Sequence, residues 1–300
     1  MLHHDPGAPW KLILAVDGSY DSLAAAALLH DLPWPPGSAC TLLAVHAPRA
    51  ALGRDALHTA LASAHDVLRA EHLAISEELV EGHPAEQLAT AADTQRPDLL
   101  VVGAKGLRAT LGILLGGVAQ QVVEYAGCPV LVVRAPADRP HLQRVLAAID
   151  SSCASQGVVD YIGGWPLPAG ATISVMHVLP PLTVPNYPPP TWLLGRPPEV
   201  PQLYPDTETA LASAAAEEAD GKRLLAQAAH AWPDRCAGQI LTRGDAASEI
   251  LERARADGTD LLVAGSRGLS AVRGWWFGSV SRKLVHYAPC SVLIVKDQPA

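Results

Sequence analysis

The sequence is poor in phenylalanine, methionine and cysteine. Its 300 residues include one phenylalanine, two methionines and five cysteines. The cysteines are scattered without CxxC spacing, which argues against a disulfide framework or a zinc site and favours reduced, mostly buried thiols. The histidines form no HExxH pattern, so no metal site is predicted.

Long apolar runs and excess positive charge are also missing. No window reaches the ~18 apolar residues that a membrane span requires, and no basic segment followed by an apolar run opens the chain. We therefore expect a cytoplasmic protein without a membrane partner. The formal net charge is −8 and the pI is near 5.8. Nucleic acid is an unfavoured partner, because binding a phosphate backbone needs Lys and Arg concentrated on one face.

What the sequence does contain is enough apolar material for two ordinary cores. Apolar residues make up 49% of the chain and charged residues 17%, which is typical of a globular protein. At roughly 150 residues per domain, the length predicts two domains.

The sequence contains an internal repeat. Residues 98–134 and 260–296 align without gaps at a constant offset of 162 positions, and 18 of the 37 pairs are identical. A looser match joins KLILAVDGS at 11–19 to RVLAAIDSS at 144–152. The sequence therefore predicts an internal duplication, with domains at 1–136 and 143–300.

Each copy alternates short apolar runs with Ala- and Leu-rich segments of helical length, the pattern of βαβ units and a parallel sheet. The fold class predicted is α/β, with two tandem, doubly wound, five-stranded domains. Strands are expected at 11–16, 41–46, 75–80, 99–102 and 130–133, and at 144–149, 172–178, 238–242, 261–264 and 292–295. Helices of the first copy are expected near 20–31, 54–72, 85–95 and 117–126. A Pro-rich stretch at 179–205 predicts a surface insertion, either a lid, a docking segment or a tolerated loop.

The fourth strand of the second copy runs into a glycine loop. Gly265 and Gly268 follow the strand, and Gly278, Ser279, Val280 and Ser281 open the next helix. Such a loop presents backbone N–H groups and the positive end of a helix dipole, which favours an anion. Glycine lets the backbone approach phosphate oxygens closely and also permits the positive φ of tight turns.

This Gly-x2-Gly-x9-Gly-Ser signature after a DLLVxG strand resembles the ATP-binding signature of the universal stress protein family, and the likeness extends over nearly the whole chain, twice. The resemblance implies a fold like that of the adenine nucleotide α-hydrolases, with ATP, with or without magnesium, at the switch in strand order. The glycines and serines of the loop would hold phosphates and ribose. Asp150 would sit by the nucleotide, and Val178 would meet the adenine through its backbone.

The resemblance also implies pairing of the fifth strands, 130–133 against 292–295, so that the copies form a pseudo-twofold pair. Pairing of whole chains into a homodimer is a further expectation.

The first copy keeps the glycines of the loop but lacks two of its hydroxyl groups. The equivalent residues are Asp17, Ala47, Gly103, Gly106, Gly116 and Gly117, with Gly117 in place of Ser279 and Ala119 in place of Ser281. Each hydrogen bond to a charged group contributes about 1.5–3 kcal/mol, so we expect a weaker or empty first site.

Three functions are compatible with these features. The first is a nucleotide-binding stress or signalling protein with at most slow ATP hydrolysis, since no Walker motif or positioned general base is present. The second is an interaction module of the same fold that binds no nucleotide. The third, an adenylyl-transferring or amide-forming ligase, would need an HxGH or SGGxDS motif that the sequence lacks. His46 and His177, at matched positions, are interpreted as structural.

Overall fold

The computed structural model describes residues 5, 7–47, 53–69, 72–107, 114–134, 142–182, 207–268 and 277–296. The strands are β1 Lys11–Val16, β2 Ser38–His46, β3 Leu73–Glu81, β4 Leu99–Gly103, β5 Val130–Val133, β6 Arg144–Ala148, β7 Thr172–Leu179, β8 Cys236–Arg243, β9 Leu261–Gly265 and β10 Ser291–Val295. The helices are α1 Tyr20–His30, α2 Arg54–Leu68, α3 Pro84–Gln95, α4 Gly117–Tyr125, α5 Cys153–Gly164, α6 Thr207–His230, α7 Ala246–Ala256 and α8 Ser279–Tyr287.

These ten strands form one sheet in the order β3-β2-β1-β4-β5-β10-β9-β6-β7-β8. Pairing is parallel within each repeat. The two repeats meet where β5 and β10 run antiparallel, with Val132 opposite Val292 and Leu131 opposite Leu293. The predicted α/β class and the predicted pairing of the fifth strands are confirmed. In each repeat the strand order along the sheet reverses after the first strand, so β1 has β2 on one side and β4 on the other, and β6 has β7 and β9. This places a topological switch point at β1/β4 and another at β6/β9.

The expected element bounds agree closely with those observed, and the main differences lie at strand and helix ends. Strand β2 begins at Ser38 rather than 41. Helix α2 ends at Leu68 rather than 72, because Arg69 has left helical backbone geometry. Leu179, placed in the Pro-rich insertion, is the last residue of β7 and pairs with Arg243. Residues 183–205 of that insertion lie outside the described residues.

The sheet is covered on both faces, as a parallel sheet requires. Successive residues of β1 alternate between the two cores: Leu12 and Leu14 belong to one buried cluster and Ile13 to the other. Helices α1 and α2 cover the first face, and α3 and α4 cover the second. Because both faces are covered, a ligand site is expected at the carboxyl ends of the strands.

Candidate functional site

A cavity of about 300 Å³ lies at the β1/β4 switch point of the first repeat. Open α/β sheets bind ligands at this place because the connecting helices diverge there. One wall is apolar and is formed by Leu43 and Val45 of β2 and Pro84 and Leu88 of α3. The glycine loop and the start of α4 also line the cavity, through Gly103, Lys105, Gly106, Gly116, Gly117, Val118 and Ala119.

Asp17 ties the turn after β1 to the glycine loop. One carboxylate oxygen accepts the Ser19 N–H at 2.9 Å, and the other accepts the Leu107 N–H at 3.3 Å. Asp150 occupies the same place in the second repeat, where Oδ1 accepts the Ser152 N–H at 2.9 Å and the Ser155 hydroxyl at 2.8 Å. Both carboxylates therefore fix the turn that borders the loop.

The glycines facing these carboxylates are required by close approach. A Cβ on Gly106 would lie 2.7 Å from Oδ2 of Asp17, and one on Gly268 would lie 2.6 Å from Oδ2 of Asp150. Neither residue has a positive φ, nor has any other glycine of the two loops within the described residues. The expectation that positive φ contributes to the glycine requirement is therefore wrong for these positions, and steric fit is the reason.

The loop returns to the sheet through the same hydrogen bonds in both repeats. Gly116 N–H donates to the Ala104 carbonyl at 2.7 Å, and Gly278 N–H donates to the Ser266 carbonyl at 2.8 Å. A Cβ on either glycine would lie 3.3 Å from that carbonyl oxygen. Helices α4 and α8 begin at the next residue, so each glycine loop leads directly into a helix amino terminus.

The two serines that open α8 occupy different environments. Ser279 is exposed, whereas Ser281 is buried and its hydroxyl donates to the Gly265 carbonyl at 2.7 Å. The proton of Ser281 is therefore used to hold β9 against α8. In the first repeat Ala119 is also buried, while a Cβ on Gly117 would have no neighbour within 4 Å.

The residues expected near the adenine lie at the carboxyl ends of β7 and β2. Val178 lies in β7 opposite Thr242 and is half-buried. Ala47 follows β2 and is not among the described residues that line the cavity, whereas Val45, two positions earlier, is. His177 is buried and its Nδ1 lies 2.8 Å from the Ile149 carbonyl, a contact that fits the expected structural role.

Similarity to known proteins follows the same duplication. A family model described as "Universal stress protein family" matches residues 10–134 and again 141–296. The chain belongs to the universal stress protein family.

Relatives of both single and double length are found. A universal stress protein of Mycolicibacterium smegmatis is 27% identical over 317 residues, which cover 96% of this chain and 98% of the relative. One of Thermus aquaticus is 38% identical over 136 residues, covering 41% of this chain and 97% of the relative. The crystal structure of a universal stress protein from Archaeoglobus fulgidus has a TM-score of 0.58 at 17% identity, with 96% of each chain covered. That likeness concerns the fold.

Two features of these universal stress protein repeats escaped the sequence reasoning. Asp21, in the first turn of α1, accepts the Lys105 N–H at 2.9 Å and so contacts the first glycine loop. Burial raises the pKa of Asp21, and the bond from Lys105 opposes that rise. Comparing YDS with CAS, which follow the two matched turns, could have shown that Ala154 stands in its place.

The second missed feature is a pair of basic residues at the end of the duplicated segment. Arg134 and Lys296 follow β5 and β10, and both reach carbonyl groups of the other repeat. By contrast, two basic residues near the start of α8 contact carboxylates: Arg282 lies 3.5 Å from Glu124 and Lys283 lies 3.5 Å from Asp245.

Among the described residues, no helix combines the length and apolar character needed to cross a membrane. Within the same part of the chain, no group of three or more His, Cys, Asp or Glu side chains is arranged to hold a metal ion. Cys40, Cys128 and Cys290 are buried, which raises the pKa of each thiol to about 12. These three thiols are therefore poor nucleophiles.

Proposed function

We propose that this universal stress protein binds adenine nucleotides, ATP with or without magnesium, and acts as a nucleotide-dependent stress or signalling protein. The observation that carries the proposal is the cavity at the β1/β4 switch point. It combines an apolar wall with a glycine loop that opens onto a helix amino terminus, and a nucleotide has the matching halves of apolar base and anionic phosphate.

The glycine loops fit phosphate because they present backbone and not side chains. A side chain at Gly106 or Gly268 would collide with the neighbouring carboxylate, so only a bare backbone can occupy the position. Backbone N–H groups at the start of α4 and α8 have no partner inside the helix and are suited to phosphate oxygens. ATP supplies the anionic charge, and the chain supplies donors already held in place by the sheet.

In the second repeat, we assign phosphate and ribose contacts to Gly265, Gly268, Gly278, Ser279 and Val280. Ser281 is given a positioning role, because its proton is already donated to the Gly265 carbonyl. Asp150 borders the nucleotide and Val178 meets the base through its backbone. No catalytic residue is proposed.

The first repeat would use Asp17, Gly103, Gly106, Gly116 and Gly117, with Val45 at the base in place of Ala47. We propose that the second repeat binds ATP more tightly, because Ser279 adds an exposed hydroxyl where Gly117 has none. A hydrogen bond to a charged group contributes about 1.5–3 kcal/mol, which corresponds to roughly tenfold or more in affinity.

Calorimetric titration tests the proposal. Magnesium ATP is titrated into the parent protein, after any co-purified nucleotide has been removed, and into a variant with Gly278→Ala and Ser279→Ala. The added Cβ at position 278 would press on the Ser266 carbonyl. We expect the main ATP site to be lost. The matched control is Gly116→Ala with Gly117→Ala, which places the same Ala-Ala pair at the equivalent positions of the first repeat and should leave the ATP site of the second repeat intact.

Absence of ATP binding to the parent protein would contradict the proposal and favour an interaction module of the same fold. Retained adenine nucleotide in purified protein, identified by mass spectrometry, would support nucleotide binding independently. The homodimer stays a prediction, and a monomeric mass by light scattering at micromolar concentration would contradict it.

A further inference from the structure

A charged side chain of α1 contacts the first glycine loop, and its counterpart in the second repeat is uncharged. Asp21 in the first repeat corresponds to Ala154 in the second, since the two turns align from Asp17 and Asp150 onward. A Cβ on Gly103 would lie 2.9 Å from the Cβ of Asp21, and one on Gly265 would lie 2.9 Å from the Cβ of Ala154. The two side chains therefore occupy the same place against the loop.

Asp21 contributes an anion and uses a donor of the loop. Its Oδ2 accepts the Lys105 N–H at 2.9 Å, and Lys105 lines the cavity. A phosphate placed against this loop would meet a carboxylate and would find that N–H already engaged. Ala154 has a methyl group and can do neither.

Other charges near the loops are in part the same in the two repeats and in part different. Asp17 is matched by Asp150, and Lys105 is matched by Arg267. Arg282 and Lys283 near the start of α8 correspond to Gln120 and Gln121 in α4, but they contact the carboxylates of Glu124 and Asp245. Asp21, by contrast, contacts the backbone of the loop itself, and its counterpart Ala154 carries no charge. A unit charge a few ångströms from a phosphate at a partly buried site changes affinity by roughly tenfold to a hundredfold.

We infer that Asp21 makes the first repeat selective for an uncharged nucleoside, whereas the second repeat accepts a nucleoside triphosphate. This inference rests on the proposed function, because it takes the apolar wall of Leu43, Val45 and Leu88 as the surface that receives the base. An uncharged nucleoside keeps that contact and avoids the carboxylate. The chain would then carry two sites, one for an uncharged nucleoside and one for a nucleoside triphosphate.

Exchanging the two residues tests the inference in the full chain. Magnesium ATP and adenosine are each titrated by calorimetry into the parent, Asp21→Ala, Asp21→Asn and Ala154→Asp. The parent should bind one ATP per chain and should bind adenosine in the first repeat. Asp21→Ala should add a second ATP site, at least tenfold tighter than any residual one in the parent, with adenosine affinity changed less than threefold.

Two variants separate charge from structure. Asp21→Asn keeps an oxygen acceptor for the Lys105 N–H and removes the charge, so it should also improve ATP binding in the first repeat. Ala154→Asp should weaken the ATP site of the second repeat by at least tenfold. Thermal unfolding of each variant checks that the fold is kept, and Asp21→Asn serves as the conservative variant should Asp21→Ala lose stability.

The inference is overturned if ATP binds normally to the second repeat but neither Asp21 variant changes ATP stoichiometry or affinity. Two equal ATP sites in the parent would overturn it as well. If neither ATP nor adenosine binds the parent or any variant, the proposed function fails together with the inference. These results differ in the parent titration alone, so the two failures can be distinguished.

Discussion

Arg134 and Lys296 stand 162 positions apart, at equivalent places after β5 and β10, and each binds the carboxyl end of a helix in the other repeat. Arg134 Nη2 donates to the Val285 carbonyl at 2.7 Å and to the His286 carbonyl at 3.1 Å, near the end of α8. Lys296 Nζ donates to the Val123 carbonyl near the end of α4.

This reciprocal arrangement follows from the antiparallel seam between β5 and β10. Each strand delivers a cation across the seam to carbonyl groups that have no partner inside the helix, where a positive charge also complements the helix dipole. The helices concerned are the two that begin at the glycine loops. The carboxyl end of each loop helix is thus held by the opposite repeat.

Replacing Arg134 by methionine should lower the free energy of unfolding by about 2 kcal/mol, because hydrogen bonds from a charged donor contribute about 1.5–3 kcal/mol. Urea denaturation followed by circular dichroism measures the change. The control is Arg69→Met: Arg69 pairs with Asp66 at 2.8 Å on the surface, with both side chains exposed, and such pairs contribute about 0–1 kcal/mol. Equal effects of the two substitutions would contradict the capping role.

Lys296 should make stability depend on pH in the alkaline range. It is 7% exposed, and burial lowers the pKa of its ammonium group to about 8 from an ordinary value of 10.5. Between these values the unfolded chain binds a proton that the folded chain does not, so stability rises with pH by up to about 1.4 kcal/mol per unit. Below about pH 8 both states are protonated and the contribution is constant.

The measurement compares the parent with Lys296→Met by chemical denaturation between pH 7 and 10. Groups common to both proteins cancel in the difference, so the parent should gain stability relative to the variant above about pH 8. A difference in unfolding free energy that stays flat across this range would show that Lys296 keeps its charge in the folded state.

The sheet was predictable because its signals are local and repeated. Apolar strands such as 11–16 and 130–133 carry their own pattern, and the duplication doubles each signal, which also allowed the β5–β10 pairing to be expected from the family resemblance. The Asp17 and Asp150 turns and the glycine loops were found for the same reason.

What the sequence did not disclose are contacts between segments distant in the chain. The Lys105 N–H reaches Asp21 across 84 positions, and the bonds of Arg134 to the end of α8 span 151 and 152 positions. No local sequence pattern indicates which carbonyl groups a basic residue after an apolar strand will contact. Likewise, Ser281 looks like a phosphate ligand by position, and only packing shows that its proton goes to Gly265.

Ser281→Ala should therefore affect the stability of the fold more than it affects ATP binding. Removing the buried hydroxyl leaves the Gly265 carbonyl without this donor, which should cost about 1–3 kcal/mol in the free energy of unfolding. Thermal or urea unfolding measures this. The matched comparison is Ser279→Ala, which removes an exposed hydroxyl and should change stability by less than about 0.5 kcal/mol. A larger loss from Ser279→Ala than from Ser281→Ala would contradict these roles.

Exchanging the hydroxyl between repeats tests its contribution to the asymmetry of the sites. Ser279→Gly should weaken ATP binding to the second repeat by roughly tenfold or more, since one hydrogen bond to a charged group is lost. Gly117→Ser is sterically open, because a Cβ there meets nothing within 4 Å, so it should strengthen the first site without disturbing the fold. Calorimetry with magnesium ATP measures both. If Ser279→Gly binds ATP as tightly as the parent, the hydroxyl has no part in holding phosphate, and the charge at position 21 becomes the remaining proposed cause of the difference between the repeats.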